Sequence, residues 1–127
     1  MGRIVTSVLL ENIIEHKKMT FTGLVDSGAS HLILPAAWRE QLGPLEEIRK
    51  IHMSLANQDT VTGTVCGPVK ITLKGFEPVF SEIVFVEMKE ERGTYEPIIG
   101  YIPLEQCQAA IDFVGHRLVP GKKLDLK

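Results

Sequence analysis

Asp26 stands at the end of an apolar run, in Leu24-Val25-Asp26-Ser27-Gly28-Ala29-Ser30, and small residues follow it. A strand ending in Asp-Ser-Gly holds a carboxylate at the tip of a tight loop. Gly28 accepts backbone angles closed to other residues and leaves its N–H free for the carboxylate, and Ser27 can donate or accept a hydrogen bond to a neighbouring segment. A single carboxylate does little hydrolytic work near neutral pH. Two within hydrogen-bonding distance cannot both ionise, so they share a proton, and one acts as base on a water while the other acts as acid. The chain has one Asp-Ser-Gly; its nearest imitation, Asp112-Phe113-Val114-Gly115, has the glycine one position late and bulky neighbours. A catalytic Asp26 therefore needs the Asp26 of a second copy across a two-fold axis. The plainer alternative is an Asx-turn closing a strand, which the tripeptide taken alone favours; the surrounding chain has to decide.

The elements that would position this loop are short strands. Ile4 to Leu10 and Met19 to Val25 are rich in Val, Ile, Thr and Phe and flank polar turn material, as the two arms of a hairpin do. Leu32-Ile33-Leu34 is stopped by Pro35, and Ala36 to Leu42 is a short helix closed by Gly43-Pro44. Ile51, Met53 and Leu55 alternate with Lys50, His52 and Ser54, a period of two. Thr60 to Leu73 is strand-like with breaks expected at Gly63 and Gly67-Pro68, and Val79 to Val86 is the next strand. Met88 to Glu96 is charged loop; Ile98-Ile99-Gly100 is a very short apolar stretch leading to a helix with Pro103 in its first turn. Ala110 to Phe113 and Arg117 to Val119 form a last hairpin, and residues 121–127 are expected as a frayed tail. Many short strands with two small helices predict an all-β, closed or partly closed barrel in a single domain over residues 1–120.

Composition excludes several function classes. A net charge of −2 with scattered basic residues leaves no footprint for nucleic acid or an anionic membrane surface. Glu11, Asn12 and Glu15 interrupt the window that a signal segment would need, and no run approaches a membrane span. The Met-Gly start is a weak acylation signal and is set aside. Cys66 and Cys107 form no CxxC pair, and His16, His31, His52 and His116 lie far apart, so neither a metal site nor a cofactor is expected. Two free thiols read most simply as a cytoplasmic chain, and the histidines as surface or partly packed residues.

Taken together, LVDSGASHLILP, the SLANQDTVTG hairpin and PIIGYIPLEQCQAAIDFVGHRLVP resemble the retropepsin-like aspartic proteases, and most of all the small bacterial group with one motif per chain. The resemblance runs from the first hairpin to Pro120, in the family's order. It implies an endopeptidase active as a homodimer, with Asp26 as the catalytic carboxylate. Ser27 would tie the two loops together across the dimer, and Gly28 and Ala29 would complete the active-site loop. Ile98, Ile99 and Gly100 would cross behind that loop in a ψ-shaped arrangement. A flap with its tip at Ala56, Asn57, Gln58, Asp59 and Thr60 would fold over a peptide substrate. Serine stands where threonine is commoner, the flap tip lacks the glycines of viral members, and Tyr101 follows the second glycine where viral members have a basic residue. The rival implied by the same fold is a dimeric module that binds peptides without cutting them. Trp38 is expected to pack on the barrel rather than to meet substrate.

Overall fold

The computed structural model describes residues 3–54 and 59–121. Strands β1 (Val5–Glu11) and β2 (Lys18–Val25) form the first hairpin in register from Val5 opposite Leu24 to Glu11 opposite Lys18. Strand β3 (Leu32–Pro35) is buried along its length and runs into a single 3-10 turn, Ala36–Trp38, and helix α1 (Arg39–Leu42). Strands β4 (Glu47–Ser54) and β5 (Thr60–Leu73) make the second hairpin, followed by β6 (Val79–Val86), β7 (Ile98–Ile99), helix α2 (Tyr101–Gln106) and the pair β8 (Ala109–Asp112) and β9 (Arg117–Pro120).

The main sheet has seven strands in the order β1-β2-β7-β3-β6-β5-β4, and β1 also pairs with β5 through Val8–Glu11 opposite Lys70–Leu73. The strand order thus returns to its start, with β4 hanging outside the ring as one arm of the second hairpin. Closure explains the side-chain pattern. Val8, Leu10, Leu32, Leu34, Ile71, Leu73, Ile83 and Ile99 point inward and are buried, forming one core. Trp38 packs against this core beside Phe21, with ring centroids 5.4 Å apart, and Tyr95 meets its other side edge-on at 6.1 Å.

One element differs from the expectation. The breaks expected at Gly63 and Gly67-Pro68 do not divide β5. Gly63 lies in a regular stretch where a Cβ would come within 2.5 Å of Val84 Cγ1, so glycine there lets strands pack closely. Gly67, at φ +132°, and Pro68 sit where the pairing with β6 shifts register between Cys66 and Val69, an irregularity that a long strand tolerates. Helix α2 begins at Tyr101 and carries Pro103 in its first turn; why it starts ahead of the proline lies in the Asp26 loop below. Among the described residues no helix is long and apolar enough to cross a membrane.

The β1–β2 turn is held from inside by Asn12, which is 1% exposed. Its Nδ2 donates to the carbonyls of Leu42 (2.8 Å) and Pro44 (3.0 Å), and its Oδ1 accepts from the N–H groups of Ile14 (3.0 Å) and Glu15 (3.1 Å). One side chain thus fastens a hairpin turn to the end of α1. Asn12→Ala strands polar groups of both segments, at about 1–3 kcal/mol for each one left without water. We expect a loss of about 3 kcal/mol by urea unfolding with an unchanged m-value. Asn12→Asp should do no better, since it sets an oxygen against two carbonyl oxygens. A wild-type midpoint for either variant would show that the turn holds itself.

Candidate active site

The Asp26 loop is built by its neighbours in the sheet. Strand β7 lies between β2 and β3, parallel to β2 (Leu24 opposite Ile98, Val25 opposite Ile99) and antiparallel to β3 (Leu32 opposite Ile99, Ile33 opposite Ile98). The chain leaves β2 at Val25, loops through residues 26–31 and returns as β3, with β7 filling the space beneath. The Asp26 N–H donates to Ile99 O at 3.0 Å, which fixes the start of the loop on β7. The Gly28 N–H donates to Asp26 Oδ1 at 2.9 Å, and the Ala29 N–H to Asp26 O at 3.1 Å.

The far side of the loop is held by the start of α2. The first N–H groups of a helix have no partner within it. Here Gly100 N–H donates to His31 O (2.9 Å), Tyr101 N–H to Ala29 O (2.8 Å) and Ile102 N–H to Ser30 O (2.9 Å). The next residue is Pro103, which has no N–H to satisfy. Helix α2 therefore starts two residues ahead of its proline because its free donors are consumed by the loop. Gly100 allows this approach: a Cβ there would lie 2.5 Å from Ser30 C and 2.6 Å from both Ala29 O and His31 N.

Asp26, Ser27 and Gly28 are exposed in the single chain. Among the described residues no lysine, arginine or histidine pairs with Asp26. Asp112 is the useful contrast. Its Oδ1 accepts from the N–H groups of Val114 (3.1 Å) and Gly115 (2.9 Å), and its Oδ2 faces Arg117 Nε at 3.4 Å. The Gly115 N–H, followed by Arg117, holds the Asp112 carboxyl below the usual carboxylate range. Both carboxylates close turns; Asp112 also faces an arginine, whereas Asp26 has no cationic partner among the described residues.

Ile98, Ile99 and Gly100 lie directly behind the loop. Ala29 and Ile98 also belong to a second apolar cluster around Ile33, Val65, Val84 and Val86, which Ile51, Met53 and Val61 of the second hairpin join. The hairpin arms thus pack onto the same patch as the Asp26 loop. Asp59 and Thr60 are exposed at the start of β5; Ala56, Asn57 and Gln58 lie outside the described residues.

Sequence reasoning passed over a polar cluster beside the loop. His31 Nδ1 lies 2.8 Å from Ser30 Oγ, and its Nε2 lies 3.4 Å from Glu82 Oε1. Arg49 grips the same Glu82 with both branches, Nη1 to Oε2 at 3.0 Å and Nη2 to Oε1 at 2.9 Å. Arg49 foremost, and His31 after it, hold the Glu82 carboxyl below its ordinary range against the effect of burial. A lone acid inside the apolar strand Val79–Val86 was the available signal.

No known family profile matches the sequence, and no curated protein matches it. Among solved structures, the EIAV protease in complex with the inhibitor HBY-793 superposes with a TM-score of 0.62 at 19% identity, over 83% of this chain and 88% of that one. The chain has the retropepsin-like fold. In this fold the Asp-Ser-Gly loop, strand β7 and the short helix after it follow one another along the chain.

Proposed function

We propose that two copies of the chain pair about a two-fold axis to form an aspartic endopeptidase, each copy giving one Asp26. The observation that carries this reading is the state of Asp26 on this fold. It is rigidly placed by Gly28 and Ile99, exposed, and free of any countercharge among the described residues. In the pair, the ionised carboxylate takes a proton from water as the water oxygen bonds to the peptide carbonyl carbon. The protonated partner gives its proton to the carbonyl oxygen. In the second step a proton passes to the amide nitrogen, the C–N bond breaks, and a carboxylic acid and an amine leave. Exposed Ser27 would bridge the two loops. The substrate would lie extended under the β4–β5 hairpin and bind through backbone hydrogen bonds, with the apolar cluster around Ile33 and Ile98 favouring apolar side chains.

One motif per chain fits the small bacterial group of this fold, residues 1–120 form the functional unit, and the free thiols of Cys66 and Cys107 suit a cytoplasmic setting. The test is cleavage of a peptide library over a broad pH range at several chain concentrations. Activity per chain should rise with concentration and level off as dimer saturates. A constant value across the dilution range contradicts a shared site. Saturable peptide binding by a dimer without cleavage supports the binding-module alternative instead.

A further inference from the structure

We infer that Glu82 is a positioning residue that ties the second hairpin to the exit of the Asp26 loop, and so sets how tightly substrate is held. The inference rests on the protease reading for its kinetic consequence. One carboxylate, on β6, joins two segments remote from each other in sequence: Arg49 on β4 and His31 at the end of the loop. Arg49 follows the one register shift in the β4–β5 pairing, between Glu47 and Arg49. Bulges of this kind re-aim a side chain, and here the side chain presents a two-pronged fork that lysine cannot reproduce. His31, its side chain 12% exposed, fits between Ser30 and Glu82 in either protonation state. A neutral ring accepts from the Ser30 hydroxyl at Nδ1 and donates from Nε2; a cationic ring donates from both nitrogens.

The Asp26 carboxylate is held by the Gly28 N–H and its backbone N–H by Ile99, and neither contact passes through Glu82; only the Asp26 carbonyl, which takes the Ala29 N–H, touches the segment that Glu82 reaches. What Glu82 governs is the segment Ala29–His31 and its spacing from the hairpin arm that packs on the same apolar patch. Removing it should therefore loosen the substrate-binding surface and leave the reacting carboxylate in place.

The experiment compares wild type, Glu82→Ala, Glu82→Gln, Arg49→Lys, Arg49→Ala and the double variant Arg49→Ala/Glu82→Ala as full-length dimers. Steady-state cleavage of one library peptide is read alongside hydrogen exchange at the Tyr101 and Ile102 amides, which donate to Ala29 and Ser30. Glu82→Ala should raise KM about fivefold with kcat within about twofold of wild type, the size expected for a half-exposed, bidentate pair. Glu82→Gln and Arg49→Lys should fall between, and the double variant should be no worse than Glu82→Ala alone. Exchange at Tyr101 and Ile102 should quicken about fivefold while Leu10 in the core stays unchanged. Additive single effects, an unchanged KM, or a lower melting temperature with unmoved amides overturns the inference. If wild type cleaves nothing, the protease reading fails by itself, and the amide exchange still decides whether Glu82 holds the loop.

Discussion

On the proposed protease reading, Asp26→Asn should leave a chain that folds and pairs but cleaves peptide at least about 10³-fold more slowly, within the range that general acid–base groups contribute. Asparagine matches aspartate in shape, and its Oδ1 accepts the Gly28 N–H that Asp26 Oδ1 accepts at 2.9 Å. The loop therefore has no structural reason to move. What is lost is the shared proton, because an amide neither takes a proton from water nor gives one to a carbonyl oxygen. Mixing supplies the sharper form of the test. When equal amounts of wild type and Asp26→Asn exchange subunits, about a quarter of the original specific activity per wild-type-plus-variant chain should remain if every mixed dimer is dead. About half remains if each chain works alone. A variant with undiminished cleavage places the chemistry elsewhere, and the half-activity outcome removes the two-fold site.

The parts legible in the sequence were those whose cause is local. Period-two alternation marks Ile51 and Met53 as the inward side of β4, and both pack on the apolar patch. Val/Ile/Thr content marks the first hairpin, and the small residues after Asp26 mark an exposed loop. Parts whose cause is a distant partner stayed hidden. Asn12 looks like turn material until Leu42 and Pro44 are beside it. Pro103 marks the first turn of α2, but nothing local reveals that the two residues ahead of it give their N–H groups to Ala29 and Ser30. Gly67-Pro68 reads as a break because both residues disfavour strands, yet pairing with β6 resumes at Val69 after Cys66, so β5 continues past them. Glu82, His31 and Arg49 are ordinary surface types in sequence. Only the parallel pairing of β3 with β6, Leu32 opposite Ile83, sets His31 and Glu82 side by side.

Gly100 gives the largest structural effect expected from a single methyl group. Its φ of −83° is open to any residue, so no backbone strain opposes substitution. Space alone does. An alanine Cβ would meet Ser30 C, Ala29 O and His31 N at 2.5–2.6 Å, all backbone atoms that no rotamer change can withdraw. The loop and the start of α2 must separate, and the three bonds from Gly100, Tyr101 and Ile102 to His31, Ala29 and Ser30 lengthen or break together. Overpacking of this kind costs about 3 kcal/mol when no neighbour can yield. A shift of about 1 Å in a catalytic group costs about 10² in rate. Gly100→Ala should therefore lower both the unfolding midpoint and kcat, the latter about a hundredfold in whatever fraction remains folded. Gly23→Ala is the comparison: its Cβ would crowd Ile99 Cγ1 at 2.9 Å and Cδ1 at 3.0 Å, side-chain rather than backbone atoms, though of a buried residue with little room to shift. It should cost less stability and little rate. Equal losses from the two variants would mean that the contact between Gly100 and the loop backbone carries no special weight. A large loss from Gly100→Ala alone would tie the rigidity of the Asp26 loop to the absence of one side chain behind it.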